Sequence, residues 1–286
     1  MKAKDFTTLL LLSAIWGASF LFVRIGSPLL GPIVLIELRV GLAFLALVFL
    51  TLIKRDKIAI WHKKGSYLLL GACNAAIPFC LIAYAELHLS AGLAAILNTT
   101  TPMMTAIVAR LWTKEPFTTK KVIGVVLGIV GVAIVVGLGS NSSSASILFP
   151  ALLSLLATLF YGIGGVFSAR HFKGEKPLDM AIGQQAGASL VLLPFSLLTI
   201  PKHFPSPTVW LSVLALALLC TAFAYLLYFG LIHRVGAVKT STVTFLVPIF
   251  GVLWGYLFLA ESIPVQAWFG LILILLSVAL VLRGRK

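Results

Sequence analysis

The chain has 286 residues, of which 60% are hydrophobic and 10% charged, with mean hydropathy +1.09 and formal net charge +14. Soluble domains run at about 45–50% apolar and about 25% charged. This composition therefore excludes an ordinary soluble protein, and disorder, which needs low hydrophobicity. Three cysteines exclude a disulfide scaffold. The positive charge lies between apolar runs and not on a patch, so no nucleic-acid partner is expected.

A helix needs about 20 apolar residues to cross the hydrocarbon of a bilayer. Ten segments qualify, and the predicted architecture is an all-α membrane protein with ten transmembrane helices and the lipid bilayer as a partner. The first, 6–26, follows Lys2 and Lys4 and lacks a convincing cleavage site, so it reads as a retained helix and not a signal peptide. Ser13, Trp16 and Phe20 share one of its faces. The second, 33–53, holds Glu37 and Arg39. The third, 65–87, carries Asn74, Pro78 and Tyr84. The fourth, 89–112, contains Asn98, Thr99, Thr100, Thr101 and Pro102. The fifth, 120–138, has Gly124, Gly128 and Gly131 at helical spacing, a homodimer face or an internal contact. After the uncharged linker 139–146, the sixth, 147–169, aligns Thr158, Tyr161, Gly165 and Ser168. The seventh, 178–200, includes Gln185. The eighth, 207–232, aligns Thr221, Tyr225 and Tyr228. The ninth, 236–259, holds Thr240, Ser241, Thr242, Thr244 and Pro248, then Gly251 and Gly255. The tenth is 264–282. Cys73, Cys80 and Cys220 lie within spans and read as small hydrophobes.

Ten spans put both ends on one side. Most of the 22 Lys and Arg fall in segments on that side: Lys2 and Lys4, Lys54 to Lys64, Lys114 to Lys121, Arg170 to Lys176, Arg234 and Lys239, and the C-terminal Arg283, Arg285 and Lys286. The opposite loops hold little more than Arg24 and Lys202. The positive-inside rule then predicts both termini in the cytoplasm.

The two halves align at an offset of 145–146 residues. Trp16-Gly17 faces Tyr161-Gly162; Ala91, Pro102, Glu115 and Gly124 face Ala237, Pro248, Glu261 and Gly270. Five spans per repeat is an odd number, so the second half, 142–286, sits inverted relative to the first, 1–141. Inverted repeats are the construction of many secondary transporters. The motifs Ile15-Trp16-Gly17-Ala18-Ser19-Phe20, Glu37-Leu38-Arg39, Thr101-Pro102 and Lys114-Glu115-Pro116, with their second-half partners, resemble the ten-helix, EamA-type members of the drug/metabolite transporter superfamily. That resemblance spans essentially the whole chain. It implies an inner-membrane carrier, commonly an exporter of amino acids or other small metabolites, and is nearly silent on the solute.

Substrate-lining candidates follow from the residues. Pro102 and Pro248 each remove a backbone hydrogen bond at matching places. The neighbouring Asn98, Thr101 and Thr244 either meet a solute or repair the freed carbonyls. Arg39 is ionisable inside a span, which marks a functional site or a structural anchor; its repeat counterpart is Gln185. On the functional reading its guanidinium holds a substrate carboxylate. Trp16, Tyr84, Tyr161 and Tyr225 offer an apolar body with one polar handle. Glu37 reads as a proton carrier or an interfacial counter-ion. Glu115 and Glu261 read as acceptors for backbone N–H groups at a helix start.

No nucleotide-binding loop is present, and no cofactor or metal is expected. The five histidines lie at span ends or in loops, and no acid pair has catalytic spacing, so an enzyme is disfavoured. The expectation is a secondary transporter exporting amino acids or related solutes. A drug or xenobiotic efflux carrier and a passive facilitator or channel are the alternatives.

Overall fold

The computed structural model describes residues 3–114, 118–137, 144–201, 205–235, 240 and 242–283. The boundary expected between 141 and 142, Glu115 and Ser241 lie outside the described residues. No strand occurs among those described. Among the described residues nine helices are long and apolar enough to cross a membrane, and a tenth apolar helix is 17 residues long.

The helices are α1 (Ala3–Leu30), α2 (Pro32–Ile53), α3 (Trp61–Ala85), α4 in two pieces (Ala91–Asn98 and Thr101–Thr113) and α5 (Thr119–Val136). In the second half they are α6 (Ser144–His171), α7 (Pro177–Leu198), α8 (continuous through Pro207–Leu214, Ala215–Phe223 and Ala224–Val235), α9 (Val243–Leu259) and α10 (Val265–Arg283). Short connections force successive helices to alternate direction. Residues expected at one end do meet there: Asp5 pairs with Arg234 at 2.8 Å, and Lys63 with Glu175 at 2.8 Å. At the far end, Arg24 donates to the backbone oxygen of Glu86.

Each half packs chiefly on the other. α1 lies along α9, and α6 lies on the second piece of α4. α2 and α3 both pack on α7, α2 also on α8, and α5 pairs with α10. Small residues let the backbones approach, the usual device where lipid offers no hydrophobic drive for helix association. A methyl added at Gly17 would sit 2.6 Å from Cβ of Phe250 and 2.8 Å from the backbone of Gly251. Its counterpart Gly162 meets the backbone of Met104 and Thr105 at 3.0–3.1 Å. These two crossings are related by the repeat offset.

The glycine stripe of α5 is spent inside the chain. Gly124 and Gly128 face Ser277, and Gly131 faces Gly270 and Ile274 of α10. That resolves the two readings of this stripe: close backbone contact with α10 occupies the face a second copy would need. Gly251 and Gly255 are also internal, against Ala95 and Glu261. Outward faces carry exposed Phe49, Leu111, Val126, Phe258 and Phe269, an apolar coat that suits lipid.

Two features depart from continuous α-helix at matching positions. Residues Ala72–Ala76 of α3 and Ala215–Phe223 of α8 are wide, π-helical turns. In α3, Pro78 lacks the N–H that would bond back to Asn74. In α8, the Thr221 hydroxyl reaches the Leu216 carbonyl, five residues back. Such turns are uncommon and concentrate at functional sites.

The proline breaks differ from expectation. Pro102 stands in the first turn of the second piece of α4, after a break at Thr99-Thr100. Pro248 lies inside α9, and the turn before that helix, at Thr242, comes earlier relative to the proline.

Candidate functional site

A cavity of about 370 Å³ lies between the halves. α1 contributes Trp16, Ser19, Phe20 and Val23; α2 contributes Arg39; α3 contributes Asn74, Phe79 and Ile82, with Glu86 just past its end. Asn98, Thr99, Thr101 and Thr105 come from the broken α4, Tyr161 and Gly165 from α6, Cys220, Tyr225 and Tyr228 from α8, and Thr244 and Val247 from α9. Toward the far end Val23, Ile82 and Glu86 are buried. Toward the end bearing the termini Gly165 is exposed and Thr105 half-buried.

Arg39 is 6% exposed. Its Nε donates to the Thr221 hydroxyl at 3.0 Å, and its guanidinium lies 3.9 Å from the centre of the Phe79 ring. Both supports depend on the wide turns: one carries Thr221, and the other leads into the segment bearing Phe79. Among the described residues no carboxylate lies within salt-bridge distance of it. Glu37 instead accepts a hydrogen bond from Ser189 of α7. Adjacent to the arginine wall runs a chain of amides: Asn74 Nδ2 donates to Gln184 Oε1 at 2.7 Å, and Gln184 Nε2 donates to the Tyr225 hydroxyl at 2.6 Å.

The threonines at the α4 break serve the backbone. Thr99 donates to the Ala95 carbonyl, Thr100 to Leu97, Thr101 to Asn98 and Thr105 to Thr101. Thr99, Thr100 and Thr101 serve carbonyls at the break, while Thr99, Thr101 and Thr105 still bound the cavity. Asn98 Oδ1 has no hydrogen-bond partner among the described residues. Trp16 leans on Tyr228 with ring centres 5.3 Å apart, and Phe79 meets Tyr161 edge-on at 6.2 Å.

Of the candidates read from sequence, Trp16, Arg39, Asn98, Thr101, Tyr161, Tyr225 and Thr244 converge on this cavity. Four do not. Tyr84 turns outward and is 41% exposed. Pro102 and Pro248 shape the backbone without bounding the space. Gln185 is fully buried and does not bound the space; its neighbour Gln184 donates to Tyr225 of the wall at 2.6 Å. The repeat names Gln185 as the counterpart of Arg39, and one helical residue is about 100° of rotation, so its neighbour Gln184 points to a different face. Glu86 reads from sequence as an acid near membrane depth with no second carboxylate at useful spacing; the structure sets it in the cavity wall.

Glu261 does accept backbone N–H groups, from Ala91 at 2.9 Å and Gly92 at 3.3 Å. The helix it caps is α4 of the opposite half, not the next helix in its own. With Ser90 accepting from Leu93 at 3.2 Å, three of the first N–H groups of α4 are satisfied. The residue before Glu261, Ala260, has φ 52°, and its repeat equivalent Lys114 has φ 55°. The left-handed turn is therefore built into both copies.

At the end bearing the termini, Glu175 accepts from Lys63 at 2.8 Å and meets His62 at 3.0 Å, and Lys63 also reaches the His171 carbonyl. Hydrogen bonds from Lys63 and then His62 hold the Glu175 carboxyl below the usual carboxylate range. A second cavity of about 330 Å³, lined partly by Lys57, Lys176 and Asp179, opens at this end and shares Tyr225 with the central one.

Two segments, 6–137 and 148–283, each match the EamA-like transporter family. The chain belongs to that family. Relatives align along nearly their whole length. An "Uncharacterized transporter YoaV" of Bacillus subtilis is 26% identical over 265 residues, covering 91% of this chain and 90% of that protein. An "Uncharacterized inner membrane transporter YedA" of Escherichia coli K12 is 26% identical, covering 98% and 91%. A "Probable amino-acid metabolite efflux pump" of Escherichia coli K12 is 25% identical, covering 96% and 93%. One crystal structure superposes over all of both chains with TM-score 0.67 at 13% identity, which speaks to fold alone. This EamA-family chain is thus a multi-pass membrane protein of transporter type.

Proposed function

We propose that this transporter exports amino acids or related zwitterionic solutes across a bacterial-type inner membrane, both termini facing the cytoplasm, by alternating access between the repeats 1–141 and 142–286. The observation that carries this reading is Arg39: a buried guanidinium on the cavity wall, braced by Thr221 and Phe79, with no carboxylate among the described residues in salt-bridge reach. An arginine so held presents a fork that suits a carboxylate. Asn98 Oδ1 offers an acceptor to a substrate N–H. The name of the efflux-pump relative supports the solute class. The orientation draws support from the basic residues at the end bearing the termini.

The test compares metabolites in the medium of cells expressing the wild type and Arg39→Ala at equal membrane abundance. Amino acids enriched outside only with the wild type support the reading. Equal export by a folded Arg39→Ala protein overturns it. The aromatic lining from Trp16, Phe79, Tyr161 and Tyr228 favours a second reading, efflux of aromatic xenobiotics, which predicts resistance phenotypes insensitive to Arg39→Ala.

A further inference from the structure

Among the described residues, Glu86 is the acid of the cavity wall, and no protein group answers its carboxyl. It caps the end of α3, its backbone N–H bonding the Ile82 carbonyl at 2.8 Å. The residue is 0% exposed, and both carboxyl oxygens are buried without a hydrogen-bond partner among the described residues. The charged groups within electrostatic reach are Arg24 from α1, Arg39 from α2 and Glu261 from the α9–α10 connection. None of them bonds to this carboxyl. Arg24 donates to the Glu86 backbone oxygen, Arg39 Nε is engaged by Thr221, and Glu261 is engaged at the start of α4. A carboxylate in such a place, dry and without donors, is costly, whereas a neutral carboxylic acid is not. Yet two nearby arginines keep the ionised form within reach once a cation arrives.

We propose that Glu86 is the coupling site of the transporter, holding in turn a proton and the primary ammonium group of the substrate. This rests on the zwitterion reading, with Arg39 taking the substrate carboxylate. The carboxylic acid O–H bond breaks when the ammonium group approaches, and the proton leaves to water at the end bearing the termini. The ammonium then completes an ion pair with the carboxylate. When the cavity opens to the far end, the ammonium departs and a proton from that side re-forms the O–H bond. No electrons are transferred, and each solute is exchanged for one proton. Because one carboxyl cannot hold both cations, exchange is obligatory, and a proton gradient drives export.

Infrared spectroscopy of the purified full-length protein at neutral pH tests this. The wild type is expected to show the carbonyl absorption of a buried carboxylic acid, and to lose it, with proton release to a pH dye, on addition of an equimolar mixture of the twenty L-amino acids. Glu86→Gln is expected to lack both signals. Glu37→Gln is expected to keep both. Glu86→Asp, which keeps a titratable group, is expected to restore a shifted band, separating lost chemistry from lost folding. In proteoliposomes a pH gradient is expected to accelerate amino-acid flux by the wild type and not by Glu86→Gln. A band that persists in Glu86→Gln overturns the proposal, as does gradient-driven flux in that variant. A wild type that shows the band but neither releases protons to the mixture nor moves it overturns the amino-acid reading and the shared ammonium site together. The Glu86→Gln spectrum then decides the proton site alone.

Discussion

Arg39 sits where a charge is hard to keep, and its neighbours explain how it is kept. A hydroxyl takes Nε and an aromatic face lies under the guanidinium, so the group is positioned without being neutralised. Hydrogen bonds to charged groups contribute about 1.5–3 kcal/mol. Arg39→Ala should therefore weaken substrate binding about 10- to 100-fold, read as a rise in KM for uptake into inverted vesicles. Arg39→Lys should not restore it, because a point ammonium neither forks nor stacks. Arg39 was legible from sequence because an ionisable residue stands out within an apolar run. Glu86 was legible only as an acid near membrane depth without a carboxylate partner; its place in the cavity wall depends on how the end of α3 packs. Tyr84 misled for a related reason: the residue type suits a cavity, but the face it occupies is fixed by the wide turn upstream, which shifts every later side chain of α3.

At the scale of elements, the close crossings set where the helices can lie. Alanine at Gly17 or Gly162 forces a methyl against the facing backbone. Each should lower stability by about 1–3 kcal/mol, visible as a lower melting temperature in detergent. Gly165→Ala, with nothing within 4 Å of the added methyl, should leave the melting temperature unchanged. Glu261→Ala leaves the N–H groups of Ala91 and Gly92 without their carboxylate acceptor. It should cost about 1–2 kcal/mol, the range of a lost helix cap; Glu261→Gln, which keeps an acceptor, should cost less. The ten spans were readable because apolar length is a coarse property that survives local irregularity. The π turns and the break at Thr99-Thr100 were not, since they depend on which carbonyls find hydroxyl partners after packing. That Glu261 caps a helix of the other half was equally hidden: a helix-start signal names its chemistry but not its recipient.

At the scale of the whole molecule, the basic end is clasped between α2–α3 and α6–α7 by Lys63, His62 and Glu175. The Glu175 carboxyl is held below its ordinary range, so the folded state favours its ionised form. The clasp is then complete above the unfolded carboxylate range and is lost as pH falls through the depressed value. Melting temperatures measured across acidic pH should fall more steeply for the wild type than for Glu175→Gln, and the two curves should converge at low pH. The same interleaving that brings these loops together limits how the molecule can move. α1 lies on α9 and α6 on α4, so neither half is a free-standing body. Under the alternating access proposed above, helices of both halves would move together, sliding across the seams that lack close glycine crossings.

That interleaving also sets an order of events at birth. A ribosome delivers α1 to α5 before any of their main packing partners exist. Arg39 emerges 182 residues ahead of Thr221, the hydroxyl that will steady it. During that interval its guanidinium has only lipid, headgroups or early helices to turn to, and an arginine in a span draws toward the membrane surface. Residence of α2 in the bilayer is thus provisional until α8 is made. Until then α2 lacks the hydroxyl that braces its arginine in the finished fold.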